Sequence, residues 1–137
     1  MRGAKPFTIV PGSSPIKDDM AAPEWLDDDA RAEWDLIAPI LIKERRTLTS
    51  ADIACLASYC AAMAQVMQAS RTIAAEGMTF MSKNGPRKHP AVSIRSDAMT
   101  QARLLAAELG LTPVSRSRSR AQSSPNDGQR NMFDLDF

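Results

Sequence analysis

Between Thr49 and Gly77 lie 27 residues, Ser50–Glu76, without a glycine or proline. At about 1.5 Å per residue a helix of that length reaches ~40 Å, more than a small core can easily bury alone. Thr49 or Ser50 is suited to cap its start, Asp52 complements the positive end of its dipole, and Gly77 supplies a stop. Ile53, Leu56, Cys60, Met63, Met67, Ser70 and Ala74 recur at alternating spacings of three and four, a heptad seam interrupted only by Ser70. A seam of this length is expected to meet another helix or another subunit, so the chain is expected to be mainly α and to work as an oligomer.

The flanking segments are also helical in pattern. A first helix is expected from Pro23, with Leu26, Ala30, Trp34, Ile37 and Leu41 as its apolar stripe. Pro39 removes a helical hydrogen bond and should kink or break it, leaving Ile40 to Arg45 as a short continuation. After Gly77, Met78 to Met81 can form a strand, and Asn84-Gly85 signals a turn within a small exposed hairpin. Pro90 reopens a helix whose apolar face is Ala91, Ile94, Ala98, Ala102, Leu105 and Leu109. Gly110 ends it, and Pro113 can start one further turn.

The 137 residues leave room for one domain, expected over 23–114. Residues 1–22, rich in proline and glycine, and 115–137, dominated by Ser, Arg, Asn and Asp, are expected to form flexible, disordered tails, because they carry too little apolar surface to offset their ordering entropy. The last six residues alternate apolar and acidic side chains. Met132, Phe133, Leu135 and Phe137 would then form a docking peptide for a partner, or fold back on their own domain. No run of about 20 apolar residues is evident and the N-terminus lacks an apolar signal region, so a soluble, non-secreted protein without a membrane partner is expected.

Chemistry is sparse. The chain has no GxxxxGK, GxSxG or HExxH motif. Asp27, Asp28 and Asp29 point in different directions on a helix and cannot converge on one ion. Cys55 and Cys60 are five apart on one helix, unsuited to bridge each other, and read as small buried apolar residues. His89 before Pro90 suits a cap better than a general base. A binder or scaffold without metal, cofactor or catalytic residue is expected.

Net charge is +1, but it is segregated: eight acidic residues fall between Lys17 and Asp35, while the basic residues Lys83, Arg87, Lys88, Arg95, Arg103, Arg116, Arg118 and Arg120 face only Asp97 and Glu108. This suits a surface for polyanions with an acidic surface elsewhere, or simply two solvated faces. Lys83, Arg87 and Lys88, with Asn84 beside them, and Arg95 and Arg103 on the following helix are the candidate DNA contacts. Such cations neutralise phosphates without reading sequence. Trp25 and Trp34, with Met63 and Met67 of the seam, are candidates for core or oligomer contacts.

The order of Pro23-x-Trp25-Leu26, Ala30, Trp34, Pro39-x-Leu41, Leu48-Thr49-x-x-Asp52, Leu56-x-x-Tyr59-Cys60, Gly77, Asn84-Gly85, Lys88-His89-Pro90-Ala91 and Leu109-Gly110-Leu111-Thr112-Pro113-x-Ser115-Arg116 resembles the phage terminase small-subunit family lacking an obvious repressor-like helix-turn-helix. The chain departs from it at Arg46-Thr47, where the family often carries a glycine. The resemblance implies a ring-forming, non-catalytic subunit in the bacterial host cytoplasm. It would recognise viral double-stranded DNA and hand it to a separate large subunit holding the ATPase and nuclease. The alternatives are a dimeric phage or plasmid transcription regulator and an adaptor acting through its tail peptide.

Overall fold

A computed structural model describes residues 15–117. Its elements are α1 (Asp28–Pro39), a π-helical turn (Ile40–Glu44), a 3₁₀ turn (Ser50–Asp52), α2 (Ile53–Glu76), β1 (Thr79–Ser82), β2 (Gly85–Lys88) and α3 (Pro90–Glu108). The mainly α architecture with a long central helix and a short hairpin is as expected.

α1 starts five residues later than the expected Pro23. The Asp27 carboxylate accepts the Ala30 N–H at 2.9 Å, satisfying an orphan donor that proline cannot serve. Residues 23–26 form a turn ahead of it, with Leu26 buried. Pro39 has no N–H to give to the carbonyl of Asp35, and the helix widens directly after it: Arg45 N–H donates to the Ile40 carbonyl at 2.9 Å, five residues back. The wide turn brings the adjacent Leu41 and Ile42 both into the core. Arg46 then takes a φ of +53°, the left-handed region. The chain thus turns sharply where a glycine would be at ease.

α2 begins with a reciprocal capping box. The Thr49 side chain serves the backbone N–H of Asp52, and the Asp52 carboxylate accepts the Thr49 N–H at 3.1 Å. It stops at Gly77, whose φ of +86° ends the helix at little cost. The single heptad seam resolves into two stripes. Leu56, Ala57, Cys60 and Ala64 pack into one core with Leu26, Ala30, Trp34, Ala38, Leu41, Ile42 and Leu48. Ala62 and Ala69 lie buried on the side that meets α3, whose buried residues are Ala91, Ala98 and Ala102. Small side chains on both helices let the two backbones approach. Of the expected seam, Met63, Met67 and Ser70 are half-buried and Ala74 is exposed. Ile94 is corrected as well: it is 51% exposed, and half-buried Arg95 takes its place along the stripe.

Among the described residues, Ser50–Glu76 is the one helix long and apolar enough to cross a membrane, by length and composition only. Its fully buried residues pack toward α1 and α3. Polar ties fix α1 antiparallel to α2: Gln68 Nε2 donates to Asp27 at 2.8 Å, Arg71 pairs with Asp29, and the Tyr59 hydroxyl donates to Glu33 at 3.3 Å.

The packed region exceeds the expected boundaries at both ends. Ile16 N–H donates to the Leu48 carbonyl at 2.8 Å, Trp34 Nε1 donates to the Met20 carbonyl at 3.0 Å, and Lys43 pairs with Asp19 at 2.9 Å, so residues 15–22 lie across α1 and the π turn. After Gly110, Thr112 Oγ1 accepts the Ser115 N–H at 3.2 Å and caps a further helical turn at 113–117. The expected docking peptide, with Met132, Phe133, Leu135 and Phe137, lies outside the described residues.

Candidate nucleic-acid interface

The hairpin projects where α2 and α3, running antiparallel, come to their shared end. Thr79 pairs with Lys88, Phe80 with Arg87, Met81 with Pro86 and Ser82 with Gly85, and the His89 N–H extends the ladder to the Met78 carbonyl at 2.8 Å. The turn is centred on Lys83-Asn84, one residue before the expected Asn84-Gly85. Its only positive φ, +104°, belongs to Gly85, as when a type I turn is followed by a left-handed glycine. The Ser82 hydroxyl closes the loop by donating to the Gly85 carbonyl at 2.7 Å and accepting the Asn84 N–H at 3.2 Å.

His89 holds the base of this arm. Its Nδ1 accepts the Ala91 N–H at 3.0 Å, the expected cap, while its Nε2 lies 3.2 Å from Glu76 Oε2 at the end of α2. The ring also meets Phe80 edge-on, with centroids 6.4 Å apart. One side chain therefore couples the end of α2, the start of α3 and strand β1. Sequence reasoning found the cap but not the other two contacts, since Glu76 and Phe80 reach His89 only once the hairpin has reversed the chain.

Lys83, Asn84, Arg87 and Lys88 are all exposed on the hairpin. The alternation of a strand splits them: Lys88 shares a face with Thr79, Met81 and Pro86, whereas Arg87 shares the other with Phe80. Arg95 is half-buried about one and a half turns into α3. Exposed Arg103 is ~20 Å along the helix axis from Pro90, beside a shallow apolar groove of Tyr59, Met63, Val66 and Met99. The structure thus gathers four of the six DNA candidates, leaves Arg95 nearby and separates Arg103. Among the described residues, the ion pairs are Lys43–Asp19 and Arg71–Asp29, so none neutralises a hairpin cation.

The acidic run is less remote than the sequence suggests. Because α1 is antiparallel to α2, its first turn meets Gln68 and Arg71, toward the hairpin end of α2. Asp27 is engaged as a cap and by Gln68. Hydrogen bonds from Arg71, then from Gln68, hold the Asp29 carboxyl below its ordinary range.

Among the interface candidates, Trp25 is 65% exposed and Met63 and Met67 are half-buried. Trp34 is corrected: at 1% exposure it belongs to the chain's own core and offers no surface to a neighbour. Cys60 is buried as expected, but Cys55 is only half-buried, its thiol 3.6 Å from Glu108 Oε2. At the opposite end of the bundle, a cavity of about 360 Å³ is lined by Arg45, Asp52, Glu108 and Arg116. Arg45 there donates to the Gly110 carbonyl at 3.0 Å and Asp52 completes the capping box, so both have structural uses.

A family model described as phage terminase, small subunit, matches residues 30–126, more than half of the chain. Comparison with curated proteins gives no match, and neither does comparison with solved structures.

Proposed function

The chain belongs to the phage terminase small-subunit family, and on that premise we propose that it recognises viral double-stranded DNA through its hairpin, delivers it to the large packaging subunit and regulates that subunit. The observation that carries this reading is the exposed ribbon bearing Lys83, Asn84, Arg87 and Lys88, fixed at its base by His89. A two-stranded ribbon is narrow enough to enter a DNA groove, and its cations release counterions from the phosphates they approach. Arg95 lies close enough to extend the contact; Arg103 would need a separate one.

The role is non-catalytic, exercised in the cytoplasm of the infected host, with ATP hydrolysis and DNA cleavage left to the large subunit. Several copies act together, closed into a ring. Trp25, Met63 and Met67 are the residues offered for contacts between copies. Met132, Phe133, Leu135 and Phe137 are offered for docking the large subunit. Truncation before Asn131 is expected to leave the native mass and duplex binding unchanged while removing any effect on the large subunit's ATPase. Loss of DNA binding in that variant would instead support a tail-dependent adaptor, and a stable dimer on a short palindrome would support a transcription regulator.

A further inference from the structure

The outward face of the hairpin has an apolar centre. Met81 is 79% exposed and sits cross-strand from exposed Pro86. Paired residues on antiparallel strands point to the same side, so the two form one apolar step, with Thr79 and Lys88 as the next pair toward the base and Lys83 at the turn beyond. The opposite face differs: Phe80 meets His89, and Ser82 and Gly85 are half-buried. Both faces reach solvent, Phe80 being 42% exposed beside His89 and Arg87 exposed with it, but the Met81–Pro86 face carries the more exposed apolar side chain. Among the described residues both side chains are exposed, an apolar pair at the middle of a cationic ribbon.

We infer that the Met81–Pro86 pair is a wedge that enters the minor groove of duplex DNA and kinks it, making the hairpin a DNA-bending arm; this rests on the DNA-binding role proposed above. The choice of DNA follows from the flanking charge, since Lys83 and Lys88 bracket the pair on the same ribbon and Arg87 is exposed on its other face. The choice of the minor groove follows from what this face lacks. Base reading in the major groove needs donors and acceptors at the centre of the contact, and here the centre has none. Methionine and proline can instead part a base step from the minor-groove side, opening the groove while flanking cations hold the phosphates, with bends of roughly 20–90°. Sequence preference would then come from how easily a step unstacks, with pyrimidine–purine steps favoured.

The test uses the full chain and an end-labelled duplex, with bending read by energy transfer between the ends and binding read separately by anisotropy. The wild-type protein is expected to shorten the end-to-end distance on saturation. Met81→Ala/Pro86→Ala is expected to bind with affinity reduced by no more than about tenfold while leaving the duplex straight. A wild-type complex that binds without bending overturns the inference and leaves the DNA-binding reading standing. A double variant that bends DNA as the wild type does also overturns it. A change in the double variant's native mass overturns it too, by making the pair a contact between copies. A wild-type chain that fails to bind duplex at low salt overturns the DNA-binding reading and this inference with it. The wild-type bend is informative whether or not the variant folds, and circular dichroism checks that it does.

Discussion

Replacing Trp34 by alanine is expected to cost about 3–5 kcal/mol, the range for removing a large aromatic side chain from a core. The indole is 1% exposed among Leu26, Ala30, Ala38, Leu41 and Leu56, so little of the space it leaves can be recovered by collapse. That is a large share of the roughly 5–15 kcal/mol by which domains are stable. Trp34→Phe separates packing from hydrogen bonding. It keeps most of the apolar volume but removes the donor to the Met20 carbonyl. Met20 is 40% exposed, so water can replace that donor, and the polar part of the loss should sit near the low end, about 1 kcal/mol. Trp25→Ala is the control: at 65% exposure it should change stability by about 0.5 kcal/mol or less. Urea unfolding followed by far-ultraviolet circular dichroism, at one fixed protein concentration because assembly couples to stability, measures all three. A Trp34→Ala loss below about 1 kcal/mol, or a larger loss from Trp25→Ala, would refute the assignment of Trp34 to the core.

Burial pushes the Cys60 thiol up to about 12, and burial together with the neighbouring Glu108 carboxylate pushes Cys55 up to about 11. With so little thiolate, alkylation at pH near 8 should be slower than for a free thiol of pKa about 8.5 by two orders of magnitude or more, with urea restoring the ordinary rate; fast labelling of the native protein would contradict this. Arg46→Gly relieves a left-handed conformation costing roughly 1–2 kcal/mol but adds unfolded-state entropy worth roughly 0.5–1 kcal/mol. A net gain of up to about 1.5 kcal/mol is therefore expected in thermal or urea unfolding, and a clear loss would mean the Arg46 side chain matters more than its backbone. For Asp29, whose folded value is lowered, the contribution to stability is present above the ordinary value of 3.8 and is lost as pH falls through the lowered one. Asp29→Asn should accordingly lower stability near neutrality and flatten the acid limb of the stability curve, and an unchanged limb would count against the link to Arg71.

Features set by local chemistry were legible in the sequence. The Thr49 cap, the Gly77 stop, the break after Pro39, the Pro90 start and the turn that Pro113 starts each depend on one or two residues with a fixed conformational preference. Ala91, Ala98 and Ala102 were legible as part of the α3 face, but their counterparts on α2 were missed because a search for large apolar residues passes over Ala62 and Ala69, whose value lies in how closely they let two helices approach. Ile94 and Arg95 exchanged places for the same reason: the stripe on α3 is defined by its small residues, not its largest. Trp34 could be either core or interface until residues 15–22 were seen to cover its edge. The basic cluster was found, but its division between two faces needed the strand register, and the exposed Met81–Pro86 step emerged only from that register.

The salt dependence of duplex binding tests the hairpin assignment most directly. Each phosphate neutralised contributes about 0.9 to the slope of log affinity against log salt. Comparing the full chain with Lys83→Ala/Arg87→Ala/Lys88→Ala, matched for native mass, should show weaker binding at low salt and a slope shallower by at least about 2. Unchanged affinity and an unchanged slope would remove the hairpin from the DNA surface and contradict the account.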